Sequence, residues 1–147
     1  MLPPNEGEMF QFAICLAETG DFIGIGGSHK VYGELGWPVL GYMFRKEAWG
    51  KGFATEFVNA ALDAWWALPR RPAEVKVERS TVGGEGEADG GIAEERLIAI
   101  TVDTNNRSQN VLAKSGLELV KVWEEEDFRD PSVNVKLLAF AAKKPVK

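Results

Sequence analysis

The sequence predicts an α+β domain: a mixed sheet with helices packed on it. Three observations point there. Strands pair across short connections at both ends of the chain. Two strand–helix–strand passages lie between them. One long segment after Ala54 switches to helical periodicity. The expected order is ββ-β-α-β-α-ββ. The 147 residues suffice for one packed core, so a single domain is expected.

Each element has its own signal. In residues 10–17, Phe12, Ile14 and Leu16 alternate with smaller or polar neighbours, the period of a half-buried strand. Glu18-Thr19-Gly20-Asp21 is a turn cluster, and a second strand over 22–26 or further completes a hairpin. Residues 33–38 turn the chain again, and Val39 to Phe44 form a third strand. From Ala54, the residues Phe57, Val58, Ala61, Leu62, Trp65 and Trp66 recur at helical spacing, and Pro69 ends that helix. Residues 69–95 hold five glycines and no aromatic, which predicts a mobile surface loop. A buried strand is expected at 96–103 and a short helix at about 106–115, stopped by Gly116. Leu117–Trp123 and Val133–Phe140 are the last strands, antiparallel across a 124–132 loop.

Composition excludes several function classes. The net charge of −5 argues against a general binder of nucleic acid or anionic membrane. The first ten residues lack a basic region followed by an apolar stretch, so no signal peptide is read, and no apolar run approaches the roughly 20 residues of a membrane span. Cys15 is alone, which suits a reducing compartment, and a cytoplasmic location is expected. One histidine and one cysteine do not make a typical zinc shell, so no metal site is expected.

The most informative stretch runs from Gly41 to Glu56. A strand feeds a loop with Gly50 and Gly52, and the loop opens directly into a helix. The first N–H groups of a helix lack internal partners, and the macrodipole adds partial positive charge there. Glycines let an anion approach the backbone, and Arg45 and Lys51 add charge. The combination reads as a phosphate cradle. A plain turn is the alternative reading of glycine before a helix. A dinucleotide fingerprint is a near miss, because Thr55 stands where its third glycine belongs, and no Gly-Lys-Ser/Thr of a Walker loop occurs.

Trp49-Gly50-Lys51-Gly52-Phe53-Ala54-Thr55-Glu56 resembles the acyl-CoA pyrophosphate loop of the GNAT N-acetyltransferases. It is nearest to the branch that includes the ribosomal-protein N-terminal acetyltransferases. Trp49 departs from the wider family's Gln/Arg at the first position, while Gly52 and Ala54 satisfy the rest. A second stretch, Asn105 to Leu117, resembles the family's Asn-x-x-Ser-x-x-Val-Leu-x-Lys-x-Gly-Phe segment, with Leu117 for Phe. The resemblance covers about residues 10–142 apart from 69–95.

That resemblance implies a GNAT fold, mostly antiparallel with a central splayed parallel pair formed by Val39–Phe44 and 96–103. It implies acetyl-CoA as cofactor, its pantetheine arm lying in the splay against the backbone of Tyr42, Met43 and Phe44. The N–H groups from Gly50 through Lys51, Gly52, Phe53 and Ala54 to Thr55 would hold the pyrophosphate, beside Trp49 and Arg45. Asn105 and Asn110 would contact the arm or shape the 104–110 loop. Lys114 would reach the nucleotide end or simply complement the helix dipole.

The implied chemistry is direct attack of a primary amine on the thioester, with a backbone N–H near Met43 or Phe44 polarising the carbonyl. Many members carry a Tyr four residues before the glycine, where this chain has Leu112. Ser108 is the implied catalytic residue near the sulfur; a helix N-cap is its plainer reading. Candidate bases, by charge alone, are Asp103, Glu47, Glu124 to Glu126 and His29. Trp65 and Trp66 read as core and rim of the first helix. Trp123 and Phe128 read as packing residues or as walls of an acceptor pocket.

By the same resemblance, the family's first strand and first two helices are expected to lack a counterpart here. Apolar surface should be exposed where they would pack, favouring a homodimer or a covering partner. The expected function is acetyl transfer from acetyl-CoA to an amine acceptor. The alternatives are an acyl-CoA-binding module with weak or no catalysis, and a structural domain that keeps only the fold.

Overall fold

A computed structural model describes residues 10–28, 35–68, 70, 77, 81 and 94–144. The described elements follow the expected order: β1 (Phe10–Cys15), β2 (Phe22–Ser28), β3 (Gly41–Phe44), α1 (Phe53–Trp66), β4 (Arg96–Val102), α2 (Asn106–Lys114), β5 (Glu118–Asp127) and β6 (Asp130–Lys143). They form two three-stranded sheets, ordered β1-β2-β3 and β4-β6-β5, all antiparallel within each sheet.

In the first sheet, Phe10 lies opposite Ser28, and Gly24 to Gly27 lie opposite Phe44 to Gly41. Gly26 admits the first helix. A Cβ at that position would stand 2.4 Å from ring carbons of Phe57, so the glycine leaves room for that ring against the sheet.

One core cluster joins α1 (Val58, Ala61, Leu62, Trp66), α2 (Leu112), β4 (Leu97, Ala99) and β6 (Phe140, Ala142). Side chains alternate along a strand, so Ile98 turns to the opposite face. There it packs with Ala139, Ala141, Leu35 and Trp37 in a second cluster. Strand β4 is therefore covered on both faces, which explains its continuous apolar run. Cutting the fully buried Leu97 back to alanine should cost about 2–5 kcal/mol.

Two expectations need correction. The last hairpin is longer than the sequence suggested, and the expected 124–132 loop shrinks to a tight turn at Phe128 and Arg129. The run Glu124 to Glu126 reads as loop because it is charged and exposed, yet the ladder carries it, with Glu124 opposite Lys136. The expected surface loop at 69–95 also contributes to the packing. Val77 packs on the second cluster, and Thr81, 3% exposed, accepts a hydrogen bond from Trp37 Nε1 at 2.8 Å. A buried indole needs an acceptor, and this segment supplies it. Most of 69–95 lies outside the described residues.

The sheets meet at one parallel bridge, Val39 to Ile98. Leu40 N–H donates to the Ile98 carbonyl at 2.7 Å, and Ile98 N–H donates to the Pro38 carbonyl at 3.0 Å. Beyond it β3 pairs with β2 and β4 pairs with β6, and the strands part. The expected splayed parallel pair is present.

Candidate functional site

The opening between β3 and β4 is framed by backbone. Pro38 and Leu40 direct their hydrogen-bonding groups at β4, while Arg45 N–H donates to the Ile23 carbonyl of β2 at 2.8 Å. Antiparallel strands alternate these directions residue by residue. Tyr42 and Phe44 therefore turn their N–H and C=O groups toward the opening, and Met43, opposite Ile25, turns its own toward β2. This narrows the three expected backbone contacts. Met43 contributes an exposed side chain, 70% accessible, but its N–H belongs to the β2 ladder.

After Phe44 the chain makes a short 3-10 turn over Lys46–Ala48 and reaches two left-handed glycines, Gly50 at φ 75° and Gly52 at φ 83°. Side chains rarely adopt that conformation. A Cβ at either glycine would meet nothing within 4 Å, so the space above the loop is open. Gly52 caps α1 without a side-chain hydrogen bond, and the first helical bond runs from Glu56 N–H to the Gly52 carbonyl at 3.1 Å. The N–H groups of Phe53, Ala54 and Thr55 thus have no partner within the helix. With the dipole, they form a surface suited to an anion.

The flanking cations differ. Lys51 is exposed. Arg45 Nη1 donates to the Phe22 carbonyl at 3.3 Å and stands 3.8 Å from Glu47 in an exposed pair. Such a pair is worth about 0–1 kcal/mol, little enough for a phosphate to outbid. Trp49 Nε1 donates to the Phe44 carbonyl at 2.9 Å, tying the loop to the end of β3. Arg107 of α2 lies over the Trp49 ring, 5.2 Å from its centroid. Sequence reasoning missed Arg107, because no local pattern announces a contact between α2 and this loop.

At the start of α2, Asn105 is the N-cap, and its side chain accepts from Ser108 N–H at 3.1 Å. The N-cap reading of Ser108 is corrected accordingly. Ser108 Oγ instead meets Tyr42 Oη at 2.8 Å, a bond that links β3 to α2. Burial raises the Tyr42 phenol above its ordinary value, and the Ser108 hydrogen bond offsets only part of that. Asn110 and Lys114 are exposed on α2, with Lys114 in its last turn. Leu112 lies in the core, 1% exposed.

Among the described residues, none of the candidate bases hydrogen-bonds to Tyr42 or Ser108. Glu47 pairs with Arg45, and Asp103 is exposed. Glu124 to Glu126 are exposed on β5, where Glu125 accepts from Trp123 Nε1 at 2.8 Å. His29 lies outside the described residues. Trp123 packs on the second core cluster, while Phe128, 91% exposed, sits at the hairpin turn. Trp66 is buried and Trp65 half-buried, the reverse of the expected core and rim. Beside β3, a cavity of about 460 Å³ is lined by Phe12, Ala13, Ile25, Val39 and Met43 among others. Among the described residues, no group of three His, Cys, Asp or Glu could hold a metal ion. No helix in the described part is long and apolar enough to cross a membrane.

Known proteins resemble this chain in sequence and fold. A family model for the acetyltransferase (GNAT) domain matches residues 2–118. A protein of Bacillus licheniformis described as an uncharacterized N-acetyltransferase, p20, is 36% identical over 74 residues. The match takes in 50% of this chain and 42% of that protein. Among solved structures, a GNAT-family acetyltransferase from Bacillus anthracis aligns with a TM-score of 0.62 at 19% identity. That alignment spans 90% of this chain and 65% of the other. A ribosomal-protein-S5-alanine acetyltransferase from Vibrio fischeri gives 0.64 at 16% identity, over 96% and 67%. A spermidine N-acetyltransferase chimera involving Vibrio cholerae gives 0.60 at 16%, over 91% and 67%. At these identities the solved structures speak for the fold alone. The chain spans about two thirds of their length, and its match covers less than half of the p20 protein.

Proposed function

The chain belongs to the GNAT acetyltransferase family, and on that premise we propose that it transfers an acetyl group from acetyl-CoA to a primary amine by direct attack. The observation that carries this reading is the parting of β3 and β4 beyond the Val39–Ile98 bridge, beside an α1 N-terminus that no side chain caps.

In this reading the N–H groups of Gly52, Phe53, Ala54 and Thr55 hold the pyrophosphate, with Gly50 keeping the loop clear and Lys51, Arg45 and Arg107 supplying charge. Trp49 fixes the loop against β3. The backbone groups of Tyr42 and Phe44 accept the pantetheine arm as an added strand. Asn105 holds the start of α2, with Asn110 and Lys114 further along it. The bound thioester supplies an activated acetyl group. Phe44 N–H is oriented to polarise its carbonyl, and Ser108 donates a hydrogen bond to the departing sulfur. The amine lone pair forms the C–N bond, the C–S pair leaves on sulfur as thiolate, and the amine proton passes to water.

The acceptor belongs to the proposal as well. Trp49 to Glu56 is nearest to the ribosomal-protein branch, which puts a protein N-terminal amine first in a test panel. The exposed side chains of Ile25 and Met43 support a covering partner, with a second copy the simplest, and a solution mass tests it. The exposed free Cys15 suits the reducing cytoplasm.

Thiol release from acetyl-CoA, measured with peptide, lysine and polyamine acceptors, tests the activity. Release above background with at least one amine is the expected result. A second reading, an acyl-CoA-binding module with weak or no catalysis, has one observation in its favour. Among the described residues, no carboxylate hydrogen-bonds to Tyr42 or Ser108. Tight acetyl-CoA binding with background release across the panel would establish that reading instead.

A further inference from the structure

Tyr42 does two things from one position. Its backbone faces the opening, and its side chain crosses to α2, where the phenol meets Ser108 Oγ at 2.8 Å. The ring is held from the other side, with centroids of Phe57 at 6.4 Å and Phe44 at 6.2 Å. The phenol is thus delivered to a fixed point by packing and is not free to follow the serine.

We propose that Tyr42 is a positioning residue that sets the direction of the Ser108 proton. This rests on the acetyl-CoA reading above. A serine hydroxyl is a rotor with one proton and two lone pairs. In the first turn of a helix it can turn that proton back onto the backbone carbonyl three residues earlier, here that of the N-cap Asn105. The phenol is the stronger acid of the two hydroxyls, so it donates and Ser108 accepts. A tyrosine phenol is protonated at neutral pH, and burial moves its ionisation further up, so its proton stays available to give. With a lone pair of Ser108 engaged by Tyr42, the serine proton is free to point into the opening. Donation from the phenol also polarises the serine O–H and strengthens the bond that it gives. No proton changes owner in this step. As the C–S bond breaks, sulfur keeps the electron pair, and Ser108 stabilises it through a hydrogen bond that Tyr42 directs.

The direct test uses CoA itself on the full chain. Thiolate absorbance of bound CoA is titrated with pH in wild type, Tyr42→Phe, Ser108→Ala and the double variant. Tyr42→Phe keeps the ring and its contacts with Phe57 and Phe44. The account predicts that the bound thiol ionises about tenfold less readily in each single variant, the scale of one lost hydrogen bond to a charged group. It predicts no further loss in the double variant, because Tyr42 acts only through Ser108. CoA affinity well below the thiol's ionisation should stay the same. Where turnover is measurable, kcat falls and KM for acetyl-CoA does not.

Equal thiol ionisation in all four proteins would overturn the proposal, and so would losses that add. A lowered melting temperature with unchanged thiol ionisation would leave the pair as a strut between β3 and α2, and would overturn it too. Failure of wild type to bind CoA would remove the acetyl-CoA reading and this inference together. Binding with unmoved ionisation would remove this inference alone.

Discussion

Val39 and Ile98 form the parallel bridge at which the two sheets join, and every expected cofactor contact on β3 lies on the far side of it. The bridge sets the hydrogen-bonding phase of the strand. Leu40 points at β4, so Tyr42 and Phe44 point into the gap. One contact between two β-branched residues thereby decides which backbone amides a ligand in the gap can reach.

Gly52 is the most sensitive position in the loop. Its φ of 83° disfavours any side chain, and a carboxylate there would put negative charge on the anion surface. Gly52→Glu should lower acetyl-CoA affinity at least tenfold by calorimetry. The backbone strain should cost about 1 kcal/mol in urea denaturation. Unchanged affinity would show that the loop holds no pyrophosphate.

Arg107 should contribute to the same site from α2. Its guanidinium rests on Trp49, which is fixed by the Phe44 carbonyl. Arg107→Ala should weaken CoA binding severalfold and reduce its dependence on salt, since a cation facing a phosphate is removed. Arg107→Lys should recover part of the affinity. A salt dependence identical in wild type and Arg107→Ala would place this residue outside the phosphate site.

Asn105 should matter first to stability. It caps α2 through Ser108 N–H at 3.1 Å. Asn105→Ala should cost about 1 kcal/mol in chemical denaturation, and Asn105→Asp should cost much less. An alanine variant as stable as wild type would mean that the cap contributes nothing.

Thr81 should anchor part of the 69–95 stretch. It accepts from the indole of Trp37 at 2.8 Å in a buried setting. Thr81→Val keeps the shape and leaves that donor without this acceptor, at a cost of about 1–3 kcal/mol. Thr81→Ser should retain most of the stability. Equal loss for both variants would assign the effect to packing of the threonine methyl group.

Much of the fold was legible because it is written locally. The alternation in β1, the helical spacing from Phe57 to Trp66 and the glycine after α2 each report on a few neighbouring residues. Gly116, at φ 88°, follows α2 where the sequence expected it to end. The longer last hairpin was not legible, because Glu124 to Glu126 look the same in a loop and on an exposed ribbon. The site shows the same division. Gly50 and Gly52 stand out in the sequence, since backbone conformation restricts residue type. Tyr42 with Ser108, Arg107 with Trp49 and Thr81 with Trp37 join distant segments, and no periodicity encodes such pairs. The correction at Met43 has the same origin, because the phase of β3 is set by Pro38 and Leu40 meeting Ile98.

The central claim is that acetyl-CoA lies between β3 and β4 with its pyrophosphate on the α1 N-terminus. Backbone amide NMR of the full chain during an acetyl-CoA titration tests it most directly. The account predicts saturable shifts at Tyr42, Phe44 and Gly50 to Thr55, with the turn at Phe128 and Arg129 unmoved. Shifts confined to other parts of the chain, or none at all, would contradict it.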